Sequence, residues 1–238
     1  VKFSGAVTLV VAGLMGLTIG LIVAIAYAGL AAREAARVER LLPLTLASLR
    51  DLKVGREALI EGHISAQNPA LLQDFVAYVR EEYRGRGKNR SWVEAERRTP
   101  PLLIDLSDGI VALADEPYEL DLPAHTWEEP DTQDWLGVPR EGARRHYGFR
   151  AGDAVLAVGR LAPGRAGLVL RAEWLAGGTR AEYLAARRHA AATLPWYGGS
   201  LALAGLLLGG IGVRWIRIGP RSTSSRRQGR QRGRQAGG

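Results

Sequence analysis

The sequence predicts a membrane protein in which two transmembrane helices flank one soluble α+β domain, mainly antiparallel β and small-barrel-like. Three observations carry this. Residues 3–32 form a run of 30 without Asp, Glu, Lys or Arg, and residues 189–213 form a second of 25. Between the runs, apolar and polar residues alternate, punctuated by Gly, Pro and Asp turn signals. A span needs roughly 20 apolar residues at about 1.5 Å rise to cross a hydrocarbon core about 30 Å thick, and both runs reach that length.

The first transmembrane helix is placed at 3–30. Lys2 before it, with Ala24-Ile25-Ala26 or Ala26-Tyr27-Ala28 as a small-residue site, imitates a cleaved signal peptide. A signal core is only about 7–15 residues long, and this run is nearly twice that, so a retained anchor is expected. Ala, Arg, Glu and Leu then predict a juxtamembrane helical segment over 31–53, with Pro43 breaking or kinking it. Its leucines, Leu41, Leu42, Leu44, Leu46 and Leu49, are expected to face the domain or the membrane surface.

The β-rich domain occupies 54–178. Strands are predicted at 58–64, 75–83, 91–95, 102–106, 110–113, 153–159 and 167–172, with a Gly- and charge-rich hairpin loop at 84–90. Asp108-Gly109 between two apolar runs is a strong short-hairpin signal, and Pro163-Gly164 marks another turn. Residues 116–145, rich in Pro, Asp and Glu, read as a long irregular insertion. Closing the strands into a barrel disposes of their edges. A helix over 179–192 leads into the second transmembrane helix at 193–213, with Pro195 as a possible kink. The Arg-rich tail, 214–238, is dominated from Gly219 onward by Ser, Arg, Gln and Gly and is expected to be disordered.

Charge is concentrated at the ends. The 24 acidic residues all lie in 31–189, whose net charge is −1, so the +8 of the whole chain comes from Lys2 and eight tail arginines. The folded domain therefore lacks a nucleic-acid footprint. Cysteine is absent, which excludes disulfides, Cys-ligated zinc, iron–sulfur clusters and thiol nucleophiles; no cofactor is implied. Twenty-nine Arg against three Lys suggests a GC-rich, prokaryotic genome. Arg214, Arg217, Arg221, Arg226, Arg227, Arg230, Arg232 and Arg234 set topology by the positive-inside rule, placing both termini in the cytoplasm and the domain outside the cell membrane. The same arginines are a candidate surface for anionic lipid.

Within the spans, Ala12, Gly16, Gly20, Ala24 and Ala28 recur every four residues, and Gly205 and Gly209 share that spacing. Small residues let helices approach closely in lipid, so these are the candidate helix-packing residues, between the spans or in a homo-oligomer. The histidines, His63, His125, His146 and His189, have no ligand spacing; a folded cluster of the first three with Asp105 is the one metal or catalytic arrangement the sequence leaves open. Ser107 lacks the Gly-x-Ser-x-Gly elbow. The neighbours Glu81-Glu82 and Glu128-Glu129 point to opposite faces of a strand and make no dyad.

The order of features in 55–213 resembles the GIDE family, the beside-a-membrane domain of the mitochondrial-anchored ubiquitin ligases. The pieces are Gly62-His63-Ile64-Ser65, the Tyr78–Glu82 strand, Trp92, Pro101-Leu102-Leu103-Ile104-Asp105 with Gly109-Ile110-Val111, and Tyr147-Gly148-Phe149-Arg150-Ala151-Gly152-Asp153 into Val158-Gly159. A helix entering a span near Trp196 completes the order. The resemblance implies a β-rich domain held beside a bilayer. Eukaryotic members end in a zinc-binding RING, which a chain without Cys cannot build, so ubiquitin transfer does not carry over. The expected function is a membrane-anchored binding or scaffolding module without catalysis, for a protein partner the sequence does not identify. The alternative is an enzyme, a ubiquitin-protein transferase by family label or an unrecognised hydrolase.

Overall fold

A computed structural model describes residues 2–85, 89–130, 133, 137–164 and 167–217. The chain divides into two compact units, Val1–Ala31 with His189–Gly238, and Ala32–Arg188.

The first unit is helical. Helix α1 (Lys2–Leu21) passes through a π-helical segment (Ile22–Tyr27) into α2 (Ala28–Arg40). Helix α4 (Arg180–Arg217) contains Pro195 without ending there. Both helical stretches, 5–40 and 180–217, are long and apolar enough to cross a membrane. Buried positions on α1 fall at Ala6, Gly13 and Gly20, seven apart, and the next is Ala28 rather than Tyr27. A π turn inserts one residue into the helical repeat, which accounts for that one-residue shift.

The second unit is a two-sheet α+β domain, mainly antiparallel. Its strands are β1 (Glu57–Ile64), β2 (Phe75–Arg84), β3 (Ser91–Arg98), β4 (Leu103–Leu106) and β5 (Gly109–Ala112). They continue as β6 (Glu119–Asp121), β7 (His125–Glu128), β8 (Arg144–Arg150), β9 (Ala154–Gly164) and β10 (Gly167–Gly177). One sheet has the order β5-β4-β1-β9-β10-β6, and the other β3-β2-β8-β7. Only β6 runs parallel to its strand partner, β10.

Three expectations are corrected. The larger sheet does not close into a barrel, because β5 and β10 meet only at the bridge Leu113–Leu170 and the Ala114 N–H donating to Leu170 O. The segment 116–145 holds β6, β7 and the first residues of β8, since ladder pairing to β10 and β2 organises a sequence without apolar alternation. Pro163 and Gly164 belong to β9, paired with Leu168 and Gly167; any turn between them falls at 165–166, outside the described residues. The juxtamembrane segment breaks around Pro43. α2 stops at Arg40, Pro43 lies in an extended bridge to Leu59, and α3 (Leu46–Arg50) follows.

Strand alternation sets two apolar layers on opposite faces of the larger sheet. Ala58, Ile60, Val155, Ala157 and Leu170 join Val76, Ala77 and Phe149 of the smaller sheet, with Leu49 of α3 added to that core. Leu59, Leu156, Val158 and Ala176 turn the other way, against Ala35 and Val38 of α2 and Tyr183 and Leu184 of α4. Trp174 stacks on Tyr183 there, with ring centroids 4.9 Å apart and planes 13° from parallel. Truncating a buried leucine in such layers costs about 2–5 kcal/mol.

Candidate functional site

In the helical unit, α1 and α4 touch along a seam of main chain. A Cβ added to Gly13 would lie 2.5 Å from Gly209 N and 2.6 Å from Gly205 O; one on Gly20 would lie 2.5 Å from Ala202 N. Gly205 faces Leu17 N and Gly13 O, Gly198 faces Gly20 O and Ala24, and Gly212 faces Ala6 O. No side chain fits at these positions. Large apolar side chains sit on the outside instead: Leu14, Met15, Ile25, Leu203, Leu206 and Leu207 are each more than half exposed. Hydroxyls on these helices are satisfied locally, Thr18 by Leu14 O, Thr193 by His189 O and Ser200 by Trp196 O.

Of the residues picked out in the sequence, Gly16, Gly20, Ala24, Gly205 and Gly209 lie at this seam, and Ala28 is buried. Ala12 is exposed, and its neighbour Gly13 takes the contact position. A step of four residues advances about 40° around a helix, so five residues joined by four such steps cannot all face one partner. Sequence reasoning missed Gly13, Gly198, Ala202 and Gly212. The signal that finds the three on α4 is the 4-3-4-3 spacing of Gly198, Ala202, Gly205, Gly209 and Gly212, the seam of a coiled pair, and for Gly13 it is the seven-residue spacing of Ala6, Gly13 and Gly20.

In the domain, charged side chains fasten α2 and α4 to the larger sheet. Arg37 Nε donates to Glu57 Oε1 at 2.7 Å, and its Nη2 to Glu173 Oε2 at 2.6 Å. Glu173 sits where the β9–β10 register shifts, and a bulge there re-aims its side chain. Trp174 Nε1 donates to Glu34, and Arg180 donates to the carbonyls of Val38 and Glu39 in the last turn of α2, the Val38 carbonyl also accepting the Leu41 N–H. Tyr183 and Arg187 both donate to Asp121.

The smaller sheet carries the least conventional face. Trp127, His146, Arg80 and Glu96 stand side by side, one from each strand, in direct cross-strand register. His146 is 1% exposed, and its Nδ1 has no hydrogen-bond partner among the described residues. The rings of Trp127 and Tyr78 pack on it, with centroids 5.2 and 5.7 Å away. Burial pushes the His146 imidazole below its ordinary range; Glu129 pulls it back and Arg80 pushes it further down.

The histidines do not converge. His63 is exposed and pairs across strands with Asp105. His125 Nε2 lies 2.9 Å from Asp153 Oδ1, and His189 is in α4. Among the described residues no group of three or more His, Asp or Glu is placed to hold a metal ion. Ser107 lies in the β4–β5 turn, and Asp108 there accepts from Leu46 N and Ala47 N, which holds its carboxyl below the usual range. Beneath α3, a cleft of about 370 Å³ opens between β5 and β10, lined by Leu46, Leu49, Ile110, Val111, Leu161 and Leu168. Arg214 and Arg217 form the last turn of α4, so the disorder expected from 214 does not begin there: the helical repeat carries on through Trp215 and Ile216. Arg221, Arg226, Arg227, Arg230, Arg232 and Arg234, with the tail expected to be disordered, lie outside the described residues.

Comparison with family models, curated proteins and solved structures finds no match.

Proposed function

We propose that this chain is a bitopic membrane anchor holding a β-rich binding or scaffolding domain beside the bilayer, with both termini cytoplasmic and no catalysis of its own. The supporting observation is the inverted packing of the helix pair, glycine inside and large apolar side chains outside. Water drives leucine inward; lipid removes that drive and leaves close backbone contact to hold helices together. Aromatic residues mark the two ends of the apolar stretch. Trp196 and Tyr197 at one end and Trp215 at the other are more than half exposed. The rise from Trp196 to Trp215 is about 28 Å, close to the thickness of a hydrocarbon core, and such rings favour the two interfaces.

The binding reading is supported by the domain's polar, aromatic sheet face and by the resemblance of its order of sequence features to the GIDE family. Arg214 and Arg217, with the arginines after them, are positioned in sequence to meet anionic lipid headgroups. A photo-crosslinking residue at Val93, exposed on edge strand β3, tests the module directly. In native membranes it should give one discrete adduct; no adduct, or only a diffuse smear, contradicts a specific binding role.

A further inference from the structure

We propose that β7 is an acid-released latch: protonation of His146 frees the Trp127 end of the strand from β8, while His125 holds the other end. β7 has four residues, lies at the edge of its sheet and pairs only with β8. His125 and Trp127 are two apart and share a face, opposite Gly148 and His146 respectively. Trp127 is therefore the part of β7 that covers the His146 ring.

Among the described residues, every charge facing that ring is already matched. β2 contributes Arg80, which pairs with Glu96 of β3 at 3.2 Å; β8 contributes Arg144, which lies 3.8 Å from Glu129, the residue after β7. Tyr78 of β2 and Trp127 of β7 supply rings rather than charge. Arg98 also sits on Glu96 at 2.7 Å, so both carboxylates are already engaged; among the described residues no free counterion is left for an imidazolium, and its Nδ1–H would be buried without an acceptor. A desolvated, unpaired charge is costly. The smallest movement that rehydrates it lifts the edge strand, because β2 is locked between β3 and β8.

His125 ties down the other end. Its Nε2 meets Asp153 Oδ1, while Asp153 Oδ2 accepts the Arg150 N–H. One end of β7 is thus freed by acid while the other stays fastened to Asp153, giving a hinge at His125 and a latch at Trp127. Release bares the β8 edge at Arg145 and Tyr147, which pair with Glu128 and Thr126 when the latch is closed. Burial holds the closed-state value of His146 below the ordinary histidine range. The open state therefore binds more protons, and the latch loosens as pH falls from that range through the lowered value.

The test uses the full chain in lipid nanodiscs, with two readouts between pH 7.5 and 5. Ring carbon shifts of labelled histidine follow His146, and hydrogen exchange, corrected for intrinsic rate, follows the amides of β7. Protection of β7 should drop at least tenfold over the window in which His146 titrates, while β2 and β9 stay protected. In His146→Phe that drop should vanish, and in His125→Gln it should extend to the whole strand. His146 titrating with β7 still protected overturns the proposal in the wild-type chain alone, whether or not the variants fold. An unchanged drop in His146→Phe overturns it as well.

Discussion

Gly13 on α1 and Gly205 on α4 obstruct each other symmetrically: a Cβ on either would stand 2.6 Å from the carbonyl oxygen of the other. Main chain has no rotamer to swing aside, so the contact tolerates glycine alone. Gly13→Leu or Gly205→Leu should lower the stability of the helix pair by about 3 kcal/mol, the upper end of over-packing costs. Gly210→Ala, with nothing within 4 Å of its added carbon, should be neutral or stabilising by up to about 1 kcal/mol. Melting followed by circular dichroism in micelles separates the two; equal effects would remove the seam from the account.

Asn68 is 7% exposed and ties the turn after β1 to β4. Its Nδ2 donates to Ser65 O and Leu103 O, and its Oδ1 accepts from Leu103 N, each at 2.8 Å. Asn68→Asp sets a carboxylate against two carbonyls and should cost about 2–3 kcal/mol at neutral pH. That carboxyl's value rises above the ordinary 3.9 or so in the folded state, so the folded domain holds the extra proton. Stability lost at neutral pH should therefore return on acidification. A urea series at pH 7 and pH 4.5 should show the gap to wild type narrowing; a gap that widens contradicts the assigned bonds.

Asp108 holds the first turn of α3, with Leu46 N and Ala47 N donating at 2.8 and 3.0 Å. Those bonds lower its carboxyl value, so its contribution is complete above the ordinary Asp range and fades as pH falls through the lowered value. Exchange of the Leu46 and Ala47 amides should accelerate in that acidic window, and Asp108→Ala should show the fast rate at every pH. Slow exchange in Asp108→Ala would mean the Thr45–Ser48 capping box holds the turn unaided.

How far the sequence was legible depends on where each element's information lies. The apolar helices, and the hairpin around Asp108-Gly109, follow from residues close together in the chain. β8 was not legible as a strand. Its sequence, Arg144-Arg145-His146-Tyr147-Gly148-Phe149-Arg150, shows no apolar alternation, and its place in the sheet comes from pairing with β2 some 65 residues away. Likewise β6 and β7 are short, acidic and flanked by proline, and ladder partners alone reveal them. The His146 cluster draws one residue from each of four strands, so no spacing rule could assemble it. The helix seam was half visible because a repeat of four was read where the contact follows three and four in alternation.

The central claim, two spans with the domain and the termini on opposite sides of a membrane, is tested most directly by thiol labelling. The chain has no cysteine, so each introduced one reports without background. Ser91→Cys at the start of β3 and Ser225→Cys in the arginine tail are exposed in turn to an impermeant maleimide on intact cells, any outer membrane having been permeabilised. Ser91→Cys should be labelled at once and Ser225→Cys only after lysis. Labelling of the tail with a silent domain, or of both before lysis, would contradict it.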